Sequence, residues 1–145
     1  MGQRCGWAGP EPIYLDYHDT EWGVPEYDPR ALWEKLILDG FQAGLSWITI
    51  LKKRDNFRAA FQGFDPEVIA EWGEAEGARR VADPGIIRHR GKIEAKMRND
   101  RGYLEVNATT GVDRFLWNYF EGEAMQNKWR SDGEMPEVTA LYIEK

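Results

Sequence analysis

Apolar residues recur along this chain at three- and four-residue spacing, with no convincing alternation, so the pattern predicts an all-α fold. The first predicted helix starts at Asp28, with Asp28 as N-cap and Pro29 in the first turn; Leu32, Leu36 and Ile37 share a face. Ser46 is placed to cap a second helix running to about Phe61, with Ile48, Leu51, Phe57, Ala60 and Phe61 apolar. Asp65 and Pro66 open a third helix, and Glu74 to Ala82 forms a short fourth. Ile93, Met97 and Leu104 mark a helix ending near Glu105, and Phe115, Leu116, Tyr119 and Phe120 give Val112 to Phe120 an inward face. Residues 121–136 read as polar loop, and Thr139 to Lys145 as the start of a further helix. Residues 1–27 hold Pro10, Pro12 and Pro25 and no sustained period, and read as an irregular, aromatic-rich segment.

Between the first two helices lies Leu38-Asp39-Gly40-Phe41-Gln42-Ala43-Gly44-Leu45-Ser46-Trp47. Two glycines would be costly inside a helix, so the stretch is expected to be a short connection. A carboxylate opens it and an indole closes it, which suits a flat cationic or amino-bearing ligand. The same residues also fit a plain helix end and a core indole. Seven tryptophans in 145 residues point to a stacking pocket as readily as to a core. Aromatic content argues that the N-terminal segment is ordered, pinned by those rings or by a metal on Cys5 and His18.

Length and charge narrow the class. The 145 residues make one domain, 1–145, by default, and the net charge of −6 excludes a wholly basic DNA-coating protein. One cysteine allows no internal disulfide, which fits a reducing, intracellular setting; no apolar run is long enough to span a membrane, and the N-terminus has no export signal. The charge is uneven: between Arg79 and Arg101 eight basic residues face three acidic ones, net +5, leaving −11 elsewhere. One anionic partner at one face is implied. Within that segment, Pro84-Gly85-Ile86-Ile87 between two short helices, followed by Arg88, His89, Arg90 and Lys92, has the form of a helix-hairpin-helix spanning about 76–105. Backbone N–H groups left open by the glycine turn, the positive end of the helix and the cations would hold a phosphate without reading sequence.

Several long stretches then carry a family resemblance. Cys5-Gly6-Trp7, Tyr17-His18-Asp19, Glu21-Trp22-Gly23-Val24-Pro25, Gly40 to Trp47, Leu51-Lys52-Lys53-Arg54 and Gly85 to Ile93 together resemble the DNA-3-methyladenine glycosylase I family, over the whole chain. The resemblance implies a helix-hairpin-helix repair glycosylase, monofunctional, that hydrolyses the N-glycosidic bond of 3-methyladenine in alkylated DNA. It implies a catalytic carboxylate at Asp39, a base pocket using Tyr17 and Trp47 with Trp7, Tyr14 and Trp22 around it, and DNA contact through Gly85, Ile87, Arg88, Arg90 and Lys92. It further implies structural zinc, with Cys5 and His18 matching two of four ligands, and a monomer in the bacterial cytoplasm acting on double-stranded DNA. Two departures stand out. Asp39 replaces the family's glutamate, withdrawing the carboxylate by roughly 1.5 Å. The family also continues past the position of Lys145 with the remaining zinc ligands, so a truncated and less stable domain is expected. The competing expectations are a catalytically impaired DNA-binding or lesion-sensing module, and a structural metal-binding helical protein.

Overall fold

The computed structural model describes residues 3–126 together with 128, 130 and 134. Among these the chain forms α1 (Pro12–Thr20), α2 (Pro29–Gln42), α3 (Trp47–Lys52), α4 (Arg54–Ala60), α5 (Pro66–Ala70), α6 (Glu74–Val81), α7 (Arg90–Thr109) and α8 (Val112–Trp117). Single 3-10 turns occur at Gly6–Ala8, Gln62–Phe64 and Asn118–Phe120. No strand is present among the described residues, as the periodicity predicts, and no helix there is long and apolar enough to cross a membrane. The described residues divide into two compact units, one made of those up to Pro25 together with those after Asp113, the other of Glu26–Asp113. The helical pattern expected from Thr139 lies outside the described residues.

Caps and prolines set the helix starts. The Asp28 carboxylate accepts from the Ala31 N–H at 2.8 Å, and Asp65 accepts from Glu67 at 3.0 Å, each satisfying a first-turn donor that has no helical partner. Pro12, Pro29 and Pro66 all sit where a missing N–H costs nothing. Pro12 therefore starts α1 inside the segment expected to be irregular; proline was a helix start there, and the polar, aromatic helix that follows has no apolar stripe to announce it.

Three further expectations change. α2 runs through Asp39 and Gly40 to Gln42, so the connection is only Ala43–Ser46, and the positive φ falls on Gly44 (81°). Gly40 stays helical because Leu38 and Phe41, fully buried on either side, hold that turn against the core, which outweighs glycine's cost of about 1 kcal/mol. The helix expected over 46–61 is two, broken at Lys53 (φ −99°, ψ 2°), and both halves bury their apolar residues: Ile50 and Leu51, then Phe57. Phe115 and Tyr119 are 46% and 39% exposed and pack edge to face on each other at 5.9 Å, while Val112 is the buried residue of α8. Leu36 is likewise exposed, and Trp33, Ile37, Leu38 and Phe41 form the inner face of α2.

The core of Glu26–Asp113 is aromatic. Phe41 lies 4.8 Å from Phe57 and 5.7 Å from Phe61, and Phe61 stacks on Trp72 at 6.1 Å. α5 and α6 pack on α7, and α2 packs on α3 and α7. Charge enters this core twice. Lys96 and Asp100, one turn apart on α7, are fully buried and paired, and Asp100 also accepts from the Trp33 indole N–H at 2.8 Å. Glu34 on α2 accepts from Arg54 at 2.9 Å and from Arg58 at 2.8 Å on α4. Burial alone would raise the Glu34 carboxyl; the hydrogen bonds from Arg58 and Arg54 outweigh it and hold the group below its ordinary range. A depressed carboxyl contributes stability that is present above its unfolded value and lost as pH falls through the folded one. Glu34→Gln is therefore expected to lower stability by about 1–2 kcal/mol at pH 7 and by progressively less below pH 4.5. Urea unfolding of both proteins across pH 3–7 checks this; parallel curves would count against it.

Candidate functional site

The end of α2 and the start of α3 carry the residues that the sequence singles out. Asp39 lies on the last turns of α2, its side chain 45% exposed. Trp47 is the first residue of α3 and is buried. Lys35, one turn before Asp39, places Nζ 2.5 Å from Asp39 Oδ1 and 4.4 Å from the centre of the Trp47 ring. A carboxylate and an indole face are thus gathered around one small cationic position. Gly44 makes the turn that brings them together: its φ of 81° is open to glycine and strained for other residues. The Leu45 N–H closes the turn onto the Gln42 carbonyl.

Lys92 fixes the same turn from α7. Its ammonium donates to the Phe41 carbonyl at 2.8 Å and the Ala43 carbonyl at 2.6 Å. The last carbonyls of a helix lack partners within it, and a cation at that end satisfies them. The sequence places Lys92 among the residues facing a phosphate; the structure commits its charge to α2 and makes it a strut between the hairpin and the Asp39 turn.

The hairpin itself joins α6 to α7 through residues 82–89. The Gly85 N–H, expected to be open, donates to Asp83 Oδ1 at 2.8 Å, and the Gly85 carbonyl accepts from Asn56 at 3.1 Å. A Cβ at position 85 would meet the Asp83 and Asn56 side chains at 3.1–3.3 Å, a tight fit that favours glycine. Ile86 is buried and anchors the loop, while the N–H groups of Ile86 and Ile87 have no hydrogen-bond partner among the described residues. His89 caps α7, its Nδ1 accepting from the Lys92 N–H at 3.2 Å. The eight basic residues counted in this segment do not all face outward. Arg79 and Arg80 pair with Glu76, Lys96 is internal, Arg101 donates to the Ala70 carbonyl and Arg90 lies 3.6 Å from Glu94. Arg88 and Arg98 are exposed and form no ion pair among the described residues. A sequence count of charge cannot see which cations are already committed internally.

The N-terminal aromatic residues form their own cluster. α1 places Tyr14, Tyr17 and His18 at three- and four-residue spacing on one face. Trp7, from the preceding 3-10 turn, packs 5.1 Å from Tyr14, 6.3 Å from Tyr17, 5.2 Å from His18 and 5.2 Å from Trp22. Tyr17 is buried and Trp22 is 47% exposed. His18 Nε2 accepts from the Cys5 N–H at 3.2 Å, so its proton sits on Nδ1, 2.9 Å from Asp19. Arg4 grips the same Asp19 through two nitrogens. The Arg4 hydrogen bonds, then that of His18, hold the Asp19 carboxyl far below the ordinary range, and Asp19 in turn raises Arg4. The His18 nitrogen left for a metal already accepts from the Cys5 backbone N–H, so the arrangement is a hydrogen-bonded clasp between Arg4–Cys5 and α1. Zinc requires four donors, and no cluster of three or more His, Cys, Asp or Glu able to hold a metal exists among the described residues. The residues present do not make a zinc site by themselves.

The described helices thus gather a carboxylate, an indole face and a lysine ammonium at one turn. Residues 7–143 match the methyladenine glycosylase family, and the chain belongs to it. A relative from Escherichia coli (strain K12), DNA-3-methyladenine glycosylase 1, is 47% identical over 140 residues, covering 95% of this chain and 74% of that protein. A crystal structure of a 3-methyladenine DNA glycosylase I superposes with a TM-score of 0.91 at 45% identity, over 96% of this chain and 77% of the other. The 3-methyladenine DNA glycosylase I from Staphylococcus aureus, solved to show 3-methyladenine recognition, superposes equally well, with a TM-score of 0.91 at 35% identity over 97% and 76%.

Proposed function

We propose that this chain is a base-excision repair glycosylase that hydrolyses the N-glycosidic bond of 3-methyladenine in alkylated DNA. The observation that carries the reading is the pair formed by Asp39 and Trp47, already arranged around a cation. An adenine methylated at N3 within DNA is positively charged, and its glycosidic bond is correspondingly weak. The base has to leave the stack to be reached. Trp47 offers an aromatic face to that cation, and the Asp39 carboxylate accepts hydrogen bonds from its N–H groups. The leaving group departs readily, so holding the base and the attacking water in position supplies the catalysis, with no covalent intermediate on a lysine. Tyr17, with Trp7, Tyr14 and Trp22, is assigned to base binding on the strength of the family membership. Cys5 and His18 are proposed as two zinc donors from the family resemblance alone, and no chemical step runs through them.

The hairpin is assigned to double-stranded DNA, bound by a monomer in the cytoplasm. The open N–H groups of Ile86 and Ile87, with Arg88 and Arg90 beside them, support a phosphate contact at Gly85–Arg90, while Lys92 contributes by tying the hairpin to α2. Arg88→Ala is expected to weaken binding to any duplex several-fold and to reduce the slope of log K against log salt by about 1. An unchanged slope would remove Arg88 from the interface. The reaction itself is tested by incubating the chain with methylated duplex DNA and measuring free 3-methyladenine. Release establishes the glycosylase; binding without release would favour the lesion-sensing module.

A further inference from the structure

Lys35 occupies the position that the functional reading reserves for the base. Its ammonium touches the Asp39 carboxylate at 2.5 Å and lies 4.4 Å from the centre of the Trp47 indole. Those two groups are the ones offered to a cationic purine. Lys35 sits one turn ahead of Asp39 on α2, its side chain 38% exposed, on a flexible stem that can swing into water without disturbing the helix. The cation is therefore held and yet free to leave. We propose that Lys35 is an internal competitor for the base site, displaced when the charged base enters and returning to Asp39 to expel the product.

The charges explain the order of events, and the inference rests on the glycosylase reading above. The methylated base arrives as a cation and replaces the ammonium one for one, so Asp39 stays compensated throughout entry. When the C1′–N9 bond breaks, its electron pair goes to the base and cancels the positive charge; water adds its oxygen to C1′ and gives up a proton to bulk solvent. Asp39 then faces a neutral base, with a tethered ammonium one helical turn away. Recapture of Asp39 and of the Trp47 face by Lys35 weakens the hold on that neutral product. The size of the effect follows from one exposed ion pair and one cation–π contact made by a half-exposed ammonium, together about 5-fold in affinity.

Titrating free 3-methyladenine into the wild type, Lys35→Ala and Lys35→Arg, by calorimetry at neutral pH, tests this directly. Lys35→Ala is expected to bind the free base about 5-fold more tightly than wild type, and Lys35→Arg to stay close to wild type. In base release, Lys35→Ala should keep or exceed the wild-type rate in a single turnover and fall behind over many turnovers, as product leaves more slowly. A merely structural lysine would not separate those two rates. Equal or weaker binding by Lys35→Ala, with wild type binding and releasing the base normally, overturns the competitor and leaves the glycosylase standing. Wild type that neither binds nor releases 3-methyladenine overturns both.

Discussion

Replacing Asp39 by asparagine is expected to lower single-turnover release of 3-methyladenine by about 100-fold while leaving the melting temperature nearly unchanged. The kinetic loss follows from charge. A hydrogen bond to an ionised group contributes about 1.5–3 kcal/mol, which is roughly 10- to 150-fold in rate or affinity when the partner is the cationic base. Asparagine keeps the size and one acceptor oxygen and removes the charge, so it isolates that contribution. The stability expectation follows from exposure. Asp39 is 45% exposed and paired with Lys35 at i,i+4 spacing on a helix surface, an interaction of only about 0.3–0.5 kcal/mol. The carboxylate therefore contributes little to the fold. Asp39→Glu supplies the second arm of the test: it restores the family's longer acid, keeps the spacing to Lys35, and is expected to release the base within a few-fold of wild type. Undiminished release by Asp39→Asn would remove the carboxylate from the chemistry and shift attention to Trp47 and the aromatic cluster.

What the sequence disclosed, and what it hid, divides along physical lines. Helix starts at Asp28 and Asp65 were legible because a cap and a first-turn proline act through their own neighbours and need no tertiary partner. α1 was hidden because its residues form an aromatic face that packs on Trp7, and that face leaves no leucine-like stripe. Gly40 reads as a helix breaker in the sequence because helix propensity is local, whereas burial of Leu38 and Phe41 is not. At the site, the types Asp39 and Trp47 were readable as carboxylate and ring, but the ammonium between them was not, since i,i+4 pairing and ring contact depend on where α2 stops. Lys92 and Lys96 show the same limit twice over. Both count as positive charge along the chain, yet one holds two carbonyls of α2 and the other is sealed against Asp100.

That sealed pair supports the largest expected change in stability. Lys96→Met alone is expected to cost about 3–5 kcal/mol, because it leaves Asp100 as a buried charge with only the Trp33 N–H as donor. Lys96→Met combined with Asp100→Asn removes both charges, keeps the volumes and keeps the acceptor for Trp33, so it is expected to recover most of that loss. The pair also sets a pH dependence. Burial pushes the Lys96 ammonium down from 10.5 to about 8 and raises Asp100, each group opposing the other's shift as its counterion. Between pH 8 and 10.5 the unfolded chain retains the Lys96 proton and the folded chain releases it, so stability rises with pH across that window. Denaturant unfolding at pH 7.5 and 9.5 should show wild type gaining relative to either Lys96→Met protein. A Lys96→Met variant as stable as wild type, or a difference that stays constant between those two pH values, would mean that the pair is hydrated and the core is not sealed. The expected result fixes the division of labour among the cations of α7. Lys96 is bound to the core by its counterion, Lys92 to the end of α2 by carbonyls, and Arg88, just ahead of the helix, keeps an exposed charge available to an anionic partner.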